Sequence, residues 1–508
     1  MMKKTMIAAL SAIALFSVVS CKDFLETSPT SSVSDNQVFT SIQGANAALN
    51  GCYYLLHFND ENYGRGDVTG YVSQILTWDT TGEDIIVYGG WYGYDYNNWG
   101  HQRGDIFKTY TLWNYYYVLI NNLNSVIYFT PLIEGASEAD INAVVGQAKC
   151  MRGWCYFMLA QIFQHTYQLS HPRGMPGVPI YTEPTTDETE GKGRGTIDDT
   201  YQQVLDDLTE AEELLSGYTR LAKNHVDQSV CQGILARVYL VMQDWDKAAS
   251  YAAKARAGYP LTTNAQWYAG FNDINVDSWM WGLMQDKENK LYGNGDYGPF
   301  AMWANWITRD GNDLWSFNCF FLPDAFVALF EDSDIRRQQM FYRADQGYGL
   351  WCSGKFYDTL DMTGSFPYMR ADEMLLIEAE AKAREGDDTG AQMLLGQLQS
   401  LRGATPSTKT GDALVEDIIL ERRKELYGEG FGSLDLIRNC KPLVRAGNHK
   451  DYGGHNESTD VELPANSWRF IYQIPTSEIV NNPNINSDVW PTPGAGQNVF
   501  GSKNVTLE

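Results

Sequence analysis

The sequence predicts a mostly α-helical fold, with tetratricopeptide-like helical hairpins as scaffold and a loop-rich, partly stranded face for ligand laid over them. Three observations predict it. Apolar residues recur at spacings of three and four through two long regions, about 105–258 and 367–430. Short Gly/Asp breaks divide these regions into helix pairs, with Ala where two helices would cross. Between them, about 260–365 is rich in Trp, Asn, Asp and Gly and has few long helical periods.

The chain opens with Lys3 and Lys4, then an apolar run from Met6 to Val19 that ends in Ser20-Cys21. Two positive charges, a short apolar segment and a small residue before the cut describe a secretory signal over 1–20. The run is too short for a spanning helix. Cys21, placed directly after the small residue, looks like a bacterial lipobox, which implies cleavage before it and acylation of its thiol. The alternative is an ordinary signal cut beside an incidental Cys. Residues 21–35, with Ser28, Pro29, Thr30, Ser31, Ser32 and Ser34, have the composition of a tether. One domain over 36–508 is expected to follow.

With 508 residues, 44% of them hydrophobic, the chain can bury a large core. Its net charge of −25 repels nucleic acid and anionic lipid headgroups. Lipidation of Cys21 would leave seven Cys, an odd number without a C-x-x-C pair or zinc spacing. They are expected to be buried small hydrophobes, and no metal site or cofactor is implied.

Taken in order, Val38 to about Leu56 is helical, and Tyr71 to Trp78 forms a second helix. A loop is expected from Gly82 to Gly104, then a long helix from Asp105 to Phe129. Thr196-x-x-Asp199 opens another helix with a capping-box start, and Gly217 ends it. Val230 to Met242, a break at Gln243-Asp244-Trp245-Asp246, and an Ala-rich helix to Ala257 make a hairpin. Met374 to Arg384, a break at Gly386-Asp387, and Ala391 to Leu401 make another. Such units stack, because none buries its apolar face alone. Trp279 and Trp281 fall in a strand, where at most one is expected to face out.

Four stretches, spread across nearly the whole chain, form one pattern. The first is Cys21 to Glu26. The second is Ala148-x-x-x-Arg152-x-x-x-Tyr156-Phe157, leading to Gly177-Val178-Pro179-Ile180. The third is Arg370-Ala371-x-Glu373-Met374-x-Leu376-x-x-Ala379-Glu380-Ala381. The fourth is Glu421-Arg422-Arg423-Lys424-Glu425-Leu426-x-x-Glu429-Gly430, with Asp435-Leu436-x-Arg438 and Ile474-Pro475-x-x-Glu478-Ile479 after it. Together they resemble the SusD/RagB family of outer-membrane nutrient-binding lipoproteins; one position departs, since the family usually has a basic residue where Gly432 stands. The Glu421–Glu429 charges are read as ion pairs that fix one helix against its neighbours. The resemblance implies an outer-membrane, lipid-anchored protein facing the cell exterior. It also implies capture of oligosaccharides for a SusC-like TonB-dependent transporter.

A sugar site needs flat rings with polar side chains beside them. Six rings lie within the twelve residues 88–99, among Gly89, Gly90 and Gly93. Trp91, Tyr92, Tyr94, Asp95, Tyr96, Asn98, Trp99 and Arg103 are therefore candidate ligand residues. The alternative is a loop packed onto its own scaffold. Tyr297, Trp303, Trp306 and Arg309 are candidates from the later insert, a region the resemblance supports without fixing individual roles. No G-x-S-x-G, P-loop or H-E-x-x-H occurs, and the seven His are dispersed. No catalytic set is assigned. Two rivals stay open: a peptide receptor of the same family, and a surface glycoside hydrolase, since acid pairs abound.

Overall fold

The computed structural model describes residues 38–57, 66–68, 70–87, 92–98, 104–285, 320–343, 350–356, 363–445, 448–449 and 462–485. Fourteen helices are named here in chain order. They are α1 (Ile42–His57), α2 (Gly70–Thr80), α3 (Gly93–Asn98), α4 (Phe107–Phe129), α5 (Glu138–Phe163), α6 (Ile197–Leu214) and α7 (Gln228–Met242). Then follow α8 (Trp245–Ala255), α9 (Asn264–Ala269), α10 (Ala371–Arg384), α11 (Asp388–Arg402), α12 (Asp412–Leu426), α13 (Gly432–Arg438) and α14 (Thr476–Asn481). Polar side chains start several of them. Ser137, Asp227, Asp244 and Asp387 accept a backbone N–H at the first turns of α5, α7, α8 and α11. Thr196 with Asp199 closes the expected capping box on α6.

The long helices stack in the sequence α4, α5, α6, α7, α8, α10, each against the next. The contact from α8 to α10 bridges the whole 260–365 segment, so the stack is continuous in space though interrupted in sequence. Small residues allow the close approaches. A Cβ on Gly153 would lie 2.9 Å from Leu208 of α6, and Ala248, Ala252 and Ala255 are wholly buried in α8. Leu375, Leu376, Leu395, Leu398, Leu414 and Ile418 close a second core between α10, α11 and α12. Gly403 ends α11 at φ +75°, a conformation that favours glycine.

Four two-stranded antiparallel ribbons complete the described structure. They are β1 (Ile86–Val87) with β3 (Phe320–Phe321), β2 (Trp279–Leu283) with β6 (Phe366–Arg370), β4 (Met340–Arg343) with β5 (Leu350–Ser353), and β7 (Leu443–Val444) with β8 (Glu462–Leu463). Both Trp279 and Trp281 are buried, within the expectation that at most one faces out. Irregular register against β6 turns the strand, and both its faces are covered. Trp281 packs edge-on to Trp154 at 5.7 Å and to Tyr368 at 5.2 Å. The described Cys residues are free thiols; Cys52, Cys150, Cys155, Cys231 and Cys352 are buried as expected, and Cys440 is half-buried. No helix among the described residues is long and apolar enough to cross a membrane.

Candidate functional site

The segment expected to be loop from Gly82 to Gly104 is partly ordered into β1 and α3, and this corrects three candidate ligand residues. Tyr92, Asp95 and Tyr96 are wholly buried. Lys108 of α4 donates to Asp95, and to Thr77 Oγ1 at 2.7 Å, so Asp95 answers a buried ammonium. The Tyr92 ring packs against Phe320 at 5.5 Å and against the Lys108 ammonium at 5.0 Å. Tyr96 pairs its hydroxyl with His449 Nδ1 at 2.9 Å under the Arg445 guanidinium, 4.3 Å from its ring. These three groups brace the base of the segment and present no face to a ligand. Tyr94 and Asn98 belong to α3 by backbone. Trp91, Trp99, Arg103, Tyr297, Trp303, Trp306 and Arg309, like Cys21, lie outside the described residues. Ile86 pairs with Phe321 and Val87 with Phe320. The chain therefore enters the first candidate segment and leaves the second through one strand pair.

The Glu421–Glu429 charges form a buried structural network. Glu425 accepts from Arg336 at 2.9 Å, Arg370 at 2.9 Å and Arg402 at 2.7 Å. Arg370 also forks onto Glu429, which takes Lys355 as well; Arg336 reaches Glu421 and Asp334, and Arg402 reaches Asp372. Burial by itself would raise Glu425, yet Arg402 and Arg370 hold it far below the usual carboxylate range. With every carboxylate answered, the network has no group free for acid chemistry. Gly432, the position that departs from the family pattern, has a reason. Its N–H and that of Gly430 donate to Asp79 of α2, and a Cβ there would lie 3.1 Å from the Trp78 carbonyl. A side chain there would need the approach of α2 to open by a few tenths of an ångström.

An open cleft of about 370 Å³ runs along α4. Tyr110, Asn114, Tyr117, Asn121 and Asn124 line it at spacings of four, three, four and three, which is one helix face. The segment after Gly177 supplies the second wall with Pro179, Tyr181, Thr185, Thr186 and Thr189, and α14 supplies Ser477, Glu478 and Asn481. The second wall is tied down by side chains. Tyr117 donates to the Pro179 carbonyl at 2.9 Å, and Asn124 donates to the Tyr181 and Glu183 carbonyls at 3.0 Å. Asn121 accepts from Thr185 through its N–H at 2.8 Å and its hydroxyl at 2.9 Å. Behind them Arg152 donates to Asn124 at 2.8 Å and the Thr182 carbonyl at 3.1 Å, while gripping Asp207 of α6 at 2.8 and 2.6 Å. The Tyr117 and Tyr181 rings meet edge-on at 6.0 Å. Burial lifts both phenols above their ordinary range, and the Glu478 charge adds to both. They therefore stay neutral hydrogen-bonding groups at physiological pH.

Rings, amides and hydroxyls in one cleft suit a polyhydroxylated ligand with apolar C–H faces. Sequence reasoning missed this cleft. Its signal was the Tyr110-x-x-x-Asn114-x-x-Tyr117-x-x-x-Asn121 period, which sets polar and aromatic groups on one stripe of an otherwise apolar helix.

Known proteins with this architecture are numerous. A family described as "Starch-binding associating with outer membrane" matches residues 91–240, and one described as "SusD family" matches residues 353–490. A SusD-like protein of Formosa agariphila is 23% identical over 96% of this chain and 99% of its own length. The crystal structure of a SusD-like carbohydrate binding protein from Bacteroides vulgatus superposes with a TM-score of 0.77 at 28% identity, over 88% of this chain and 98% of that one. The surface glycan-binding protein A of Bacteroides uniformis shares the fold, with a TM-score of 0.66 at 19% identity over 88% and 99% of the two chains.

Proposed function

This chain belongs to the SusD/RagB family, and from that premise we propose that it is a cell-surface lipoprotein that captures glycans without turning them over. The observation that carries the proposal is the α4 cleft, where Tyr110, Tyr117 and Tyr181 stand beside Asn114, Asn121 and Thr185. A glycosidase needs two carboxylates flanking the scissile bond. Among the described lining residues Glu478 is the one carboxylate. The Bacteroides vulgatus relative, named for carbohydrate binding, supports the same ligand class. Delivery to a SusC-like TonB-dependent transporter, and an outward-facing acyl anchor on Cys21 after removal of residues 1–20, complete the proposal.

Two expected results test it. In the first, the purified protein binds a glycan by calorimetry and leaves its chain length unchanged. Trp91→Ala or Trp99→Ala, in the segment that leaves β1, then weakens binding at least tenfold, since a stacking ring contributes about 2 kcal/mol. A thermal melt of each variant is expected to match the parent. Steady release of reducing ends would favour the hydrolase, and unchanged affinity in both variants would move the site away from this segment. In the second, Cys21→Ala leaves the membrane fraction, because one unacylated polar tether holds nothing in a bilayer. Retention after a high-salt wash would refute the anchor.

A further inference from the structure

We infer that the α4 cleft is a subsite for neutral saccharides, with Glu478 as both its hydroxyl-gripping group and its barrier to acidic glycans. The inference rests on the glycan-binding proposal and adds a ligand class to it. The lining residues include no Lys, Arg or His among the described residues. Glu478 is half-buried on α14 and accepts from the Asn482 amide at 2.9 Å. Asn482 also donates to the Lys192 carbonyl at 3.0 Å, which fixes the end of α14. Glu478 lines the same cleft as Tyr117 and Tyr181, whose phenols its charge raises, and its carboxylate can accept more than the one amide. The cations around the cleft have protein partners: Arg152 donates to Asp207, Asn124 and the Thr182 carbonyl, and exposed Lys192 holds its ammonium 5.3 Å from the Tyr181 ring. Arg194 is buried and donates to the Gly177, Phe163 and Pro176 carbonyls, and Lys192 donates to the Ile180 carbonyl at 2.9 Å.

A neutral sugar brings hydroxyl donors, and two vicinal hydroxyls fit one carboxylate through charge-assisted hydrogen bonds. A uronate or sulfate ester brings a second anion into a cleft whose described lining holds Glu478 and no cation. That juxtaposition is repulsive, and the net charge of −25 extends the same sign over the approach.

The test is calorimetry on the full mature chain with two sets of probes. One set is neutral: hexasaccharides of α-glucan, β-glucan, xylan and mannan. The other is acidic: hexagalacturonate and a chondroitin sulfate hexasaccharide. We expect binding to at least one neutral probe and none to the acidic probes at physiological salt. Glu478→Gln, which keeps the Asn482 contact, is expected to weaken the neutral ligand about tenfold, the effect of losing a hydrogen bond to a charged group. Glu478→Lys is expected to admit an acidic probe. Acidic probes that bind the parent as well as any neutral one would overturn this inference and leave glycan capture standing. A neutral ligand indifferent to Glu478→Gln, Asn114→Ala and Tyr110→Ala would overturn it too, by placing the site elsewhere. If no probe binds, glycan capture itself fails, and this inference with it.

Discussion

Replacing Glu425 by Ala is expected to destabilise the fold by roughly 3–5 kcal/mol, because it strips one carboxylate from three buried guanidinium groups. Arg336, Arg370 and Arg402 come from three different elements and are all fully buried. In the parent, five cations (Arg336, Lys355, Arg370, Arg402, Lys424) face five carboxylates (Asp334, Asp372, Glu421, Glu425, Glu429), each at most 7% exposed. The variant leaves a net buried charge that water cannot reach. Over so long a chain the unfolding entropy is large, so the melting temperature falls by only about 3–5 °C. Urea unfolding at pH 7 is the sharper measurement. A midpoint equal to the parent's would mean that water or relaxation compensates the three cations.

That network sets the acid limit together with a second buried cluster, in which Arg438 holds Glu380 and Asp435 and Arg422 holds Asp435. Glu380, Glu421, Glu425, Glu429 and Asp435 are buried, which alone would raise them, but their Arg partners hold them below their ordinary values. A depressed folded-state value means the stabilisation is complete above about pH 4.5, where the unfolded carboxylates are ionised. It is lost as pH falls below that and through the folded-state values. Glu425→Ala is therefore expected to show a shallower acid dependence than the parent.

Arg152→Ala carries the second large effect, about 3 kcal/mol, with loss of the cleft's second wall. It leaves Asp207, 2% exposed, with Lys149 at 4.0 Å in place of a two-pronged grip. It also frees the Asn124 side-chain oxygen, Oδ1, and removes the donor to the Thr182 carbonyl. Arg152→Lys should recover part of the stability and little of the wall, since an ammonium cannot hold Asp207 and Asn124 in one plane. Amide hydrogen exchange separates the two consequences. Faster exchange confined to the 179–185 segment in the Lys variant is the expected result. Uniform acceleration across α5 and α6 would show that Arg152 serves helix packing alone.

Arg152 also shows how far the sequence can be read. The Ala-x-x-x-Arg-x-x-x-Tyr-Phe spacing places Arg152 and Tyr156 on one helix face, but their shared duty to the Tyr181–Thr182 backbone depends on a segment 25 to 30 residues away. Tyr92 and Tyr96 show the opposite outcome. Their Gly- and Asn-rich surroundings read as an exposed loop, whereas Ser73, Phe320, Arg445 and His449 converge on them from other parts of the chain.

The sequence by itself determined the helical hairpins, the cap at Thr196, and the ion-paired character of Glu421–Glu429. Those signals are local: a period of 3.6, an oxygen over a first turn, charges at helical spacing. Only the tertiary structure decided which rings are covered and which line a cleft. Exposure is not a property of a residue or its neighbours in sequence. It is set by what other elements place over it, as His449 and Arg445 close over Tyr96 while α14 and the 179–189 segment stand back from Tyr110 and Asn114 to leave a space a ligand can enter.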